Sequence, residues 1–295
     1  MSMIISGNTS ISGNCVISQK LLLDDITNDQ FVYLLNKVKT DYTGMSLRVR
    51  RLSDEVEEEF GFVGGRTNFY GINKFAPGGY KVSRFYNQGL YGGYLEQATA
   101  LVQPTIEIAA ETGLETFKFT SDGESMYQSL PDVASIFVND LHFFSPFIMR
   151  AYNPSGNEAY VTITCNEKEP YVIYHYSSYY AGTPLYGRDK YILKASGGYT
   201  TDWIQVDSMH SLDDPVLVTH SRTGATMYTR KNGVQTATGV GSAGPLEFGT
   251  NPILIFGARN YANPFQNSNG FVWCNAYLPS NLEQKVERGL INLYS

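Results

Sequence analysis

The 295-residue sequence predicts a mainly β protein, a two-sheet jelly-roll sandwich with short helices near 28–39 and 281–293. Three observations lead there. Twenty-two Tyr sit well on a pleated surface, while 28 Gly and 12 Pro supply the turns of a chain of many short strands. From residue 45 onward apolar side chains recur with period two, as half-buried strands require. Two-residue turn signals of the Asn-Gly kind separate β-forming runs.

Residues 1–26 read as an N-terminal arm for attachment or assembly, and 27–295 as one sandwich domain. In the arm Ile-Ser-Gly-Asn occurs at 5–8 and again at 11–14, among alternating Ile and Val. So short a polar repeat buries no core of its own. It suits a strand added to another chain, or a plain extended tail.

Thr27-x-x-Gln30 has the form of a capping box, and Phe31, Leu34, Leu35 and Val38 follow at i, i+3, i+4 and i+7, which predicts the first helix. Leu47 and Val49 then alternate with arginines. Arg48, Arg50 and Arg51 run into Asp54, Glu55, Glu57, Glu58 and Glu59, a pattern that reads as a self-compensated, solvated strand pair. Ala159, Val161, Ile163 and Cys165 share one face of a strand. Further strands are expected at 133–138, 171–176, 190–194, 202–206, 215–220, 225–230, 252–257 and 270–277. Turns fall at Thr223-Gly224 and Asn232-Gly233. Pro279 and a second capping box, Ser280-x-x-Glu283, open the last helix, with Leu282, Val286, Leu290 and Leu293 on one side.

Charged residues make up 17% of the chain, against roughly 25% in an average domain. A net charge of −6 argues against a nucleic-acid partner, which calls for a basic stripe. Cys15, Cys165 and Cys274 are odd in number and widely spaced, so neither a disulfide framework nor a zinc site is expected. No apolar run nears the ~18 residues of a membrane span, and the first residues lack the basic and apolar regions of a signal peptide. No membrane insertion, cofactor or metal is expected. His142, His175, His210 and His220 form no metal-ligand spacing.

The last eighty residues resemble the concanavalin A-like lectin/glucanase (laminin-G-like) superfamily. The likeness lies in Arg230-Lys231-Asn232-Gly233-Val234, Ile253-Leu-Ile-Phe-Gly257, Gly270-Phe-Val-Trp-Cys-Asn-Ala-Tyr277 and the helix after it. Leu47-Arg-Val-Arg-Arg-Leu-Ser-Asp54, Val82-Ser-Arg-Phe-Tyr-Asn-Gln88, Gln97-Ala-Thr-Ala100 and Gln103-Pro104 resemble a group of bacteriophage virion proteins. Those are similar to the catalytic domain of family 54 α-L-arabinofuranosidases, whose Trp-Tyr-Asp-Gln-Ser-Gly-Asn-Gly becomes Phe85-Tyr-Asn-Gln-Gly-Leu-Tyr-Gly92.

The resemblance implies a carboxylate nucleophile where Val206-Asp207-Ser208-Met209-His210 places His210. It implies an acid/base where Gly257-Ala258-Arg259-Asn260 places Arg259. Imidazole is a poor glycosyl nucleophile, and guanidinium donates no proton near neutral pH. The expectation is therefore a non-enzymatic virion structural protein: a capsid decoration, fibre or tail component. Its lectin-like domain would serve assembly or host-glycan adhesion, assembled in the host cytoplasm. Partners would be other virion proteins through residues 1–20, host surface glycans, and further copies of the chain. A glycoside hydrolase acting on arabinose-containing or other polysaccharide, and a free-standing lectin, are the alternatives. The residues placed at the sugar are Trp203, His210, Arg259, Asn260, Tyr261 and Asn263, whose rings and polar groups suit a saccharide's apolar face and hydroxyls.

Overall fold

The computed structural model describes residues 21–27, 29–119, 124–130, 140–149, 157–165, 173–178, 188–193, 202–206, 213–241, 252–257, 266–274 and 277–294. In chain order the elements begin with β1 (Asp29–Leu34), β2 (Leu47–Arg51), β3 (Glu57–Phe60), β4 (Phe62–Val63), β5 (Arg66–Thr67), α1 (Phe69–Phe75), β6 (Tyr80–Tyr86) and β7 (Tyr94–Glu96). There follow β8 (Thr105–Ile108), β9 (Glu115–Phe119), β10 (Ser125–Ser129), β11 (Leu141–Met149), β12 (Asn157–Cys165), β13 (Ile173–Ser178), β14 (Arg188–Leu193) and β15 (Asp202–Val206). The chain closes with β16 (Pro215–Thr223), β17 (Thr226–Lys231), β18 (Val234–Val240), β19 (Pro252–Gly257), β20 (Gln266–Ser268), β21 (Gly270–Cys274) and α2 (Ser280–Tyr294).

Apart from the two-stranded ribbon β4-β5, the described strands form the two antiparallel sheets of a sandwich. One runs β18-β17-β16-β11-β20-β9-β8, with β21 and β1 joined beside β11; the other runs β15-β14-β13-β12-β19-β10-β7-β6-β2-β3. Between them lies an aromatic core in which Phe117 meets Phe256 edge-on at 5.4 Å, and Phe31, Phe143 and Trp273 are fully buried. A second core lies on the outer face of the first sheet, where α2 covers Val32, Leu34, Phe144, Leu217 and Val272. This is the mainly β sandwich expected.

The helix expected near 28–39 is instead strand β1, paired with β21 from Phe31↔Trp273 to Leu34↔Gly270. The reason is burial on both sides. Phe31, Tyr33 and Leu35 enter the inter-sheet core, while Val32, Leu34 and Val38 enter the core under α2. A continuous apolar run satisfies a helical stripe and a doubly buried strand alike. The β-branched and aromatic content, with a vacant ladder beside β21, decides for the strand. Gly270 is required in that pairing: its φ is 117°, and a Cβ there would overlap the Tyr33 carbonyl. The first helix of the fold is the short α1 at 69–75, capped by the Asn68 side chain on the Gly71 amide.

Other expectations hold. The arginine and glutamate runs pair across β2 and β3, Arg48 with Glu59 and Arg50 with Glu57. Asn232 and Gly233, at φ 50° and 78°, make the two-residue turn from β17 to β18. Strands β12 to β17, β19 and β21 fall where sequence placed them, β18 follows the Asn232-Gly233 turn without having been among the expected strands, and α2 spans 280–294. The strand expected at 133–138 lies outside the described residues. Residues 21–26 pack on α2: Leu23 and Ile26 are buried in its core, Leu22 lies against Gly289, and Asp25 pairs with Lys285.

Candidate functional site

The ten-stranded sheet turns Leu47, Val49, Phe85, Leu95, Met126 and Phe256 into the core. Its other face carries a row fixed by register. Glu59 pairs with Arg48, Arg48 with Arg84, Arg84 with Glu96, Glu96 with Tyr127, and Tyr127 with Ile255. Beside it, Tyr86 pairs with Tyr94 and Arg50 with Glu57. Directly paired residues share a face of the pleat, so period-two sequence becomes a polar platform.

The platform is held by its own side chains. Arg48 donates from Nε (3.1 Å) and Nη2 (2.5 Å) to Glu59 Oε1, and the Tyr86 hydroxyl donates to the same oxygen. Arg84 donates from Nε to Glu96 at 2.7 Å, and its guanidinium lies 4.1 Å over the Tyr94 ring. Tyr94 meets Tyr86 at 5.6 Å between centroids. The hydrogen bonds from Tyr86 and Arg48 hold the Glu59 carboxyl below its ordinary range, while burial and the Glu59 bond push the Tyr86 phenol up. Three guanidiniums, of Arg48, Arg50 and Arg84, face three carboxylates, of Glu57, Glu59 and Glu96, so these six charges balance one another. Oriented planar donors beside tyrosine rings suit a neutral, hydroxyl-bearing ligand.

At the Glu59 end lies Tyr42, whose phenol is pushed up to about 12 by burial and by Tyr86. Its hydroxyl donates to the Met45 carbonyl at 2.7 Å. Beyond it a groove of about 560 Å³ opens between residues 24–27, 39–41 and Leu90. Asp24 braces its floor, accepting from the amides of Leu21 (2.6 Å) and Thr40 (2.7 Å) and from the Thr40 hydroxyl (2.6 Å).

The structure distributes the expected site residues unevenly. Register carries the platform row onward from Ile255 to Thr162, Tyr174, Ile192 and finally Trp203 on β15. Backbone pairing thus reaches Trp203 on the same sheet as Arg48 and Arg84. His210, Arg259, Asn260, Tyr261 and Asn263 lie outside the described residues. The segment holding the last four follows Gly257, which ends β19 at φ 107° against Phe119 and the Glu124 carbonyl. Arg48, Glu59, Arg84, Tyr86, Tyr94 and Glu96 were missed. The signal for them was alternation, Arg-x-Arg, Arg-x-Tyr and Tyr-x-Glu, which by itself reads as solvated strand surface.

Two sequence features turn out to be structural. Asn87 and Gln88 of the arabinofuranosidase-like motif tie the sheets together. Asn87 Oδ1 accepts from the Val32 amide (2.7 Å) and the Gly89 amide (2.8 Å). Gln88 accepts from the Val38 amide (3.1 Å) and donates to the carbonyls of Leu34 (3.0 Å) and Asn36 (2.9 Å). Under α2, His142, Ser221 and Glu283 form a fully buried cluster with the components of a nucleophile, base and acid. Its connections exclude that use. His142 Nε2 accepts from the Leu278 amide at 3.1 Å, so Nδ1 carries the proton toward Glu283 Oε1 at 3.0 Å. Ser221 donates to the same carboxylate oxygen at 2.7 Å, and Arg230 closes the other. The cluster clamps the helix. Among the described residues no group of three or more His, Cys, Asp or Glu is gathered for a metal.

No family model matches the chain, and neither does any curated protein sequence. Solved structures do. An arabinofuranosidase complexed with arabinofuranosyl-α-1,2-xylobiose superposes over 92% of this chain with TM-score 0.60 at 10% identity. Family 54 α-L-arabinofuranosidases soaked with 4-nitrophenyl α-L-arabinofuranoside or with a cyclic sulfate inhibitor follow at TM-scores of 0.58 and 0.57, with 12% and 13% identity. The chain spans 64% of the length of each. The likeness establishes a shared sandwich fold. It also corrects the expectation of a non-enzymatic chain, because the proteins matched over nine-tenths of this chain are enzymes. That expectation stood on two positions, His210 and Arg259, both outside the described residues.

Proposed function

We propose that this chain is a carbohydrate-recognising sandwich that engages neutral glycans across the open face of its ten-stranded sheet. The observation that carries this reading is the row Glu59–Arg48–Arg84–Glu96 with Tyr86 and Tyr94 beside it, built on a fold shared with arabinofuranosidases. Guanidinium groups held by carboxylates present donors in fixed directions to vicinal hydroxyls, and the tyrosine rings receive a sugar's apolar face. Placement on a bacteriophage particle, with residues 1–20 joining other virion proteins, is the finer part of the proposal and rests on the sequence resemblance.

The test is a glycan array followed by calorimetry with arabinoxylan oligosaccharides. Arg84→Ala and Tyr94→Ala are expected to weaken binding at least tenfold while leaving the far-UV spectrum unchanged. No ligand at millimolar sugar, or binding indifferent to both substitutions, overturns the reading. The fold likeness to arabinofuranosidases favours a second reading, hydrolysis of an arabinofuranoside. Release of 4-nitrophenol from 4-nitrophenyl α-L-arabinofuranoside, abolished by Asp207→Asn, is its expected sign. No release above the uncatalysed rate ends it.

A further inference from the structure

The C-terminal half of α2 does not close onto the sheet beneath it. Between Leu290, Ile291 and Tyr294 on the helix and Ile148, Val216 and Leu217 on β11 and β16 lies a cavity of about 180 Å³. None of its lining residues is charged. Tyr294 forms part of the wall and is 7% exposed, yet its hydroxyl has no hydrogen-bond partner among the described residues. A buried hydroxyl without a partner is uncommon, since the desolvated group forfeits the bonds it makes in water.

These features specify an occupant. The volume slightly exceeds the ~150 Å³ of an apolar cavity that accepts benzene, so about six to eight heavy atoms fit. An uncharged wall excludes ions, whose burial without a counter-charge is strongly unfavourable. Thr112, Asn232 and Asn269 also line it, with Asn232 Oδ1 taken by the Leu217 amide (2.8 Å) and Asn269 Nδ2 by the Glu115 carbonyl (2.9 Å), so the Tyr294 hydroxyl is the buried donor left for a ligand's acceptor. Burial drives the Tyr294 phenol well above its ordinary range, so the group is a donor at neutral pH. We propose that the cavity under α2 is a binding site for a small neutral molecule with a compact apolar body and one hydrogen-bond acceptor, which takes the Tyr294 hydroxyl. Such a ligand wedges between helix and sheet where only apolar packing holds α2; the Glu283 cluster secures the other end. The inference is independent of glycan binding.

Cyclohexanone, with seven heavy atoms and one carbonyl, is the probe, titrated into the full chain and followed by methyl NMR. Saturable shifts are expected at Val216, Leu217, Leu290 and Ile291. Tyr294→Phe is expected to weaken the apparent Kd about tenfold, the scale of one lost hydrogen bond. Ile291→Trp, which fills the cavity, is expected to abolish the shifts; Leu217→Phe replaces it should that variant lose the wild-type far-UV spectrum. Absence of saturable shifts at the probe's solubility limit overturns the site. So does their persistence in the filled variant. Unchanged affinity in Tyr294→Phe overturns the assigned acceptor.

Discussion

Glu283→Gln tests whether a buried carboxylate fastens α2 to the sheet. Glu283 is 1% exposed and its two oxygens are fully used, one by His142 Nδ1 (3.0 Å) and Ser221 Oγ (2.7 Å), the other by Arg230. An amide keeps the shape but sets an NH2 group against a donor whichever way it turns. It also leaves Arg230, whose side chain is 14% exposed, with Glu287 at 3.6 Å and the Tyr228 ring at 4.9 Å. Removing one partner of a buried pair typically costs about 3–5 kcal/mol. The isostere and the remaining Glu287 place the expectation at the lower end, about 3 kcal/mol in urea unfolding at pH 7.

The pH dependence provides a second readout. Burial pushes the Glu283 carboxyl up, but the bonds from His142, Ser221 and Arg230 outweigh it and hold the group below its ordinary 4.5. The unfolded chain therefore takes up this proton first as pH falls. The stabilisation is complete above about pH 5 and is lost as pH drops through the folded value. Glu287 runs the other way: burial raises it, so its contribution favours the fold as pH falls. Subtracting the Glu283→Gln profile from the wild type isolates the first effect. A loss under 1 kcal/mol, or superimposable acid limbs, would refute the clamp.

Asn87→Ala removes an acceptor shared by the Val32 and Gly89 amides and a donor to the Gly92 carbonyl. About 2–3 kcal/mol should be lost on chemical unfolding, in line with leaving one buried amide unpaired; a shift within 0.5 kcal/mol contradicts the inter-sheet role. Gly270→Ala forces a Cβ onto the Tyr33 carbonyl at φ 117° and should either lower Tm by more than 10 °C or prevent soluble folding. A Tm within 2 °C of wild type would show that the β1–β21 pairing is misplaced. Arg48→Ala should change Tm by less than 3 °C, because half-exposed pairs contribute about 0–1 kcal/mol; a larger drop makes the platform a stability element.

Sequence revealed the fold wherever local chemistry and tertiary demand coincide. The Asn232-Gly233 turn needs two positive φ values and contains the residues that adopt them. The 202–206 and 252–257 strands were equally legible, being short runs with a single reading. Legibility failed where one pattern serves two environments. The 31–35 run faces a core on each side, which no periodicity within one segment reports. Glu283 looked like a capping-box residue because of its spacing from Ser280, and the helix does begin there. Its carboxylate, however, turns inward to His142, a partner 141 residues away. The platform was hidden for a similar reason: Arg48, Arg84 and Glu96 lie on three strands, and only sheet register brings them into one row.

The contact of residues 21–26 with α2 has a practical corollary. Leu22 against Gly289 and Asp25 with Lys285 bring the first described residues to the same pole as the last helix. A chain begun at residue 21 can therefore be closed onto the end of α2 by a flexible linker without crossing either sheet, and new termini opened in the exposed Gly64-Gly65 loop. In such a permuted chain the former ends become one surface hinge.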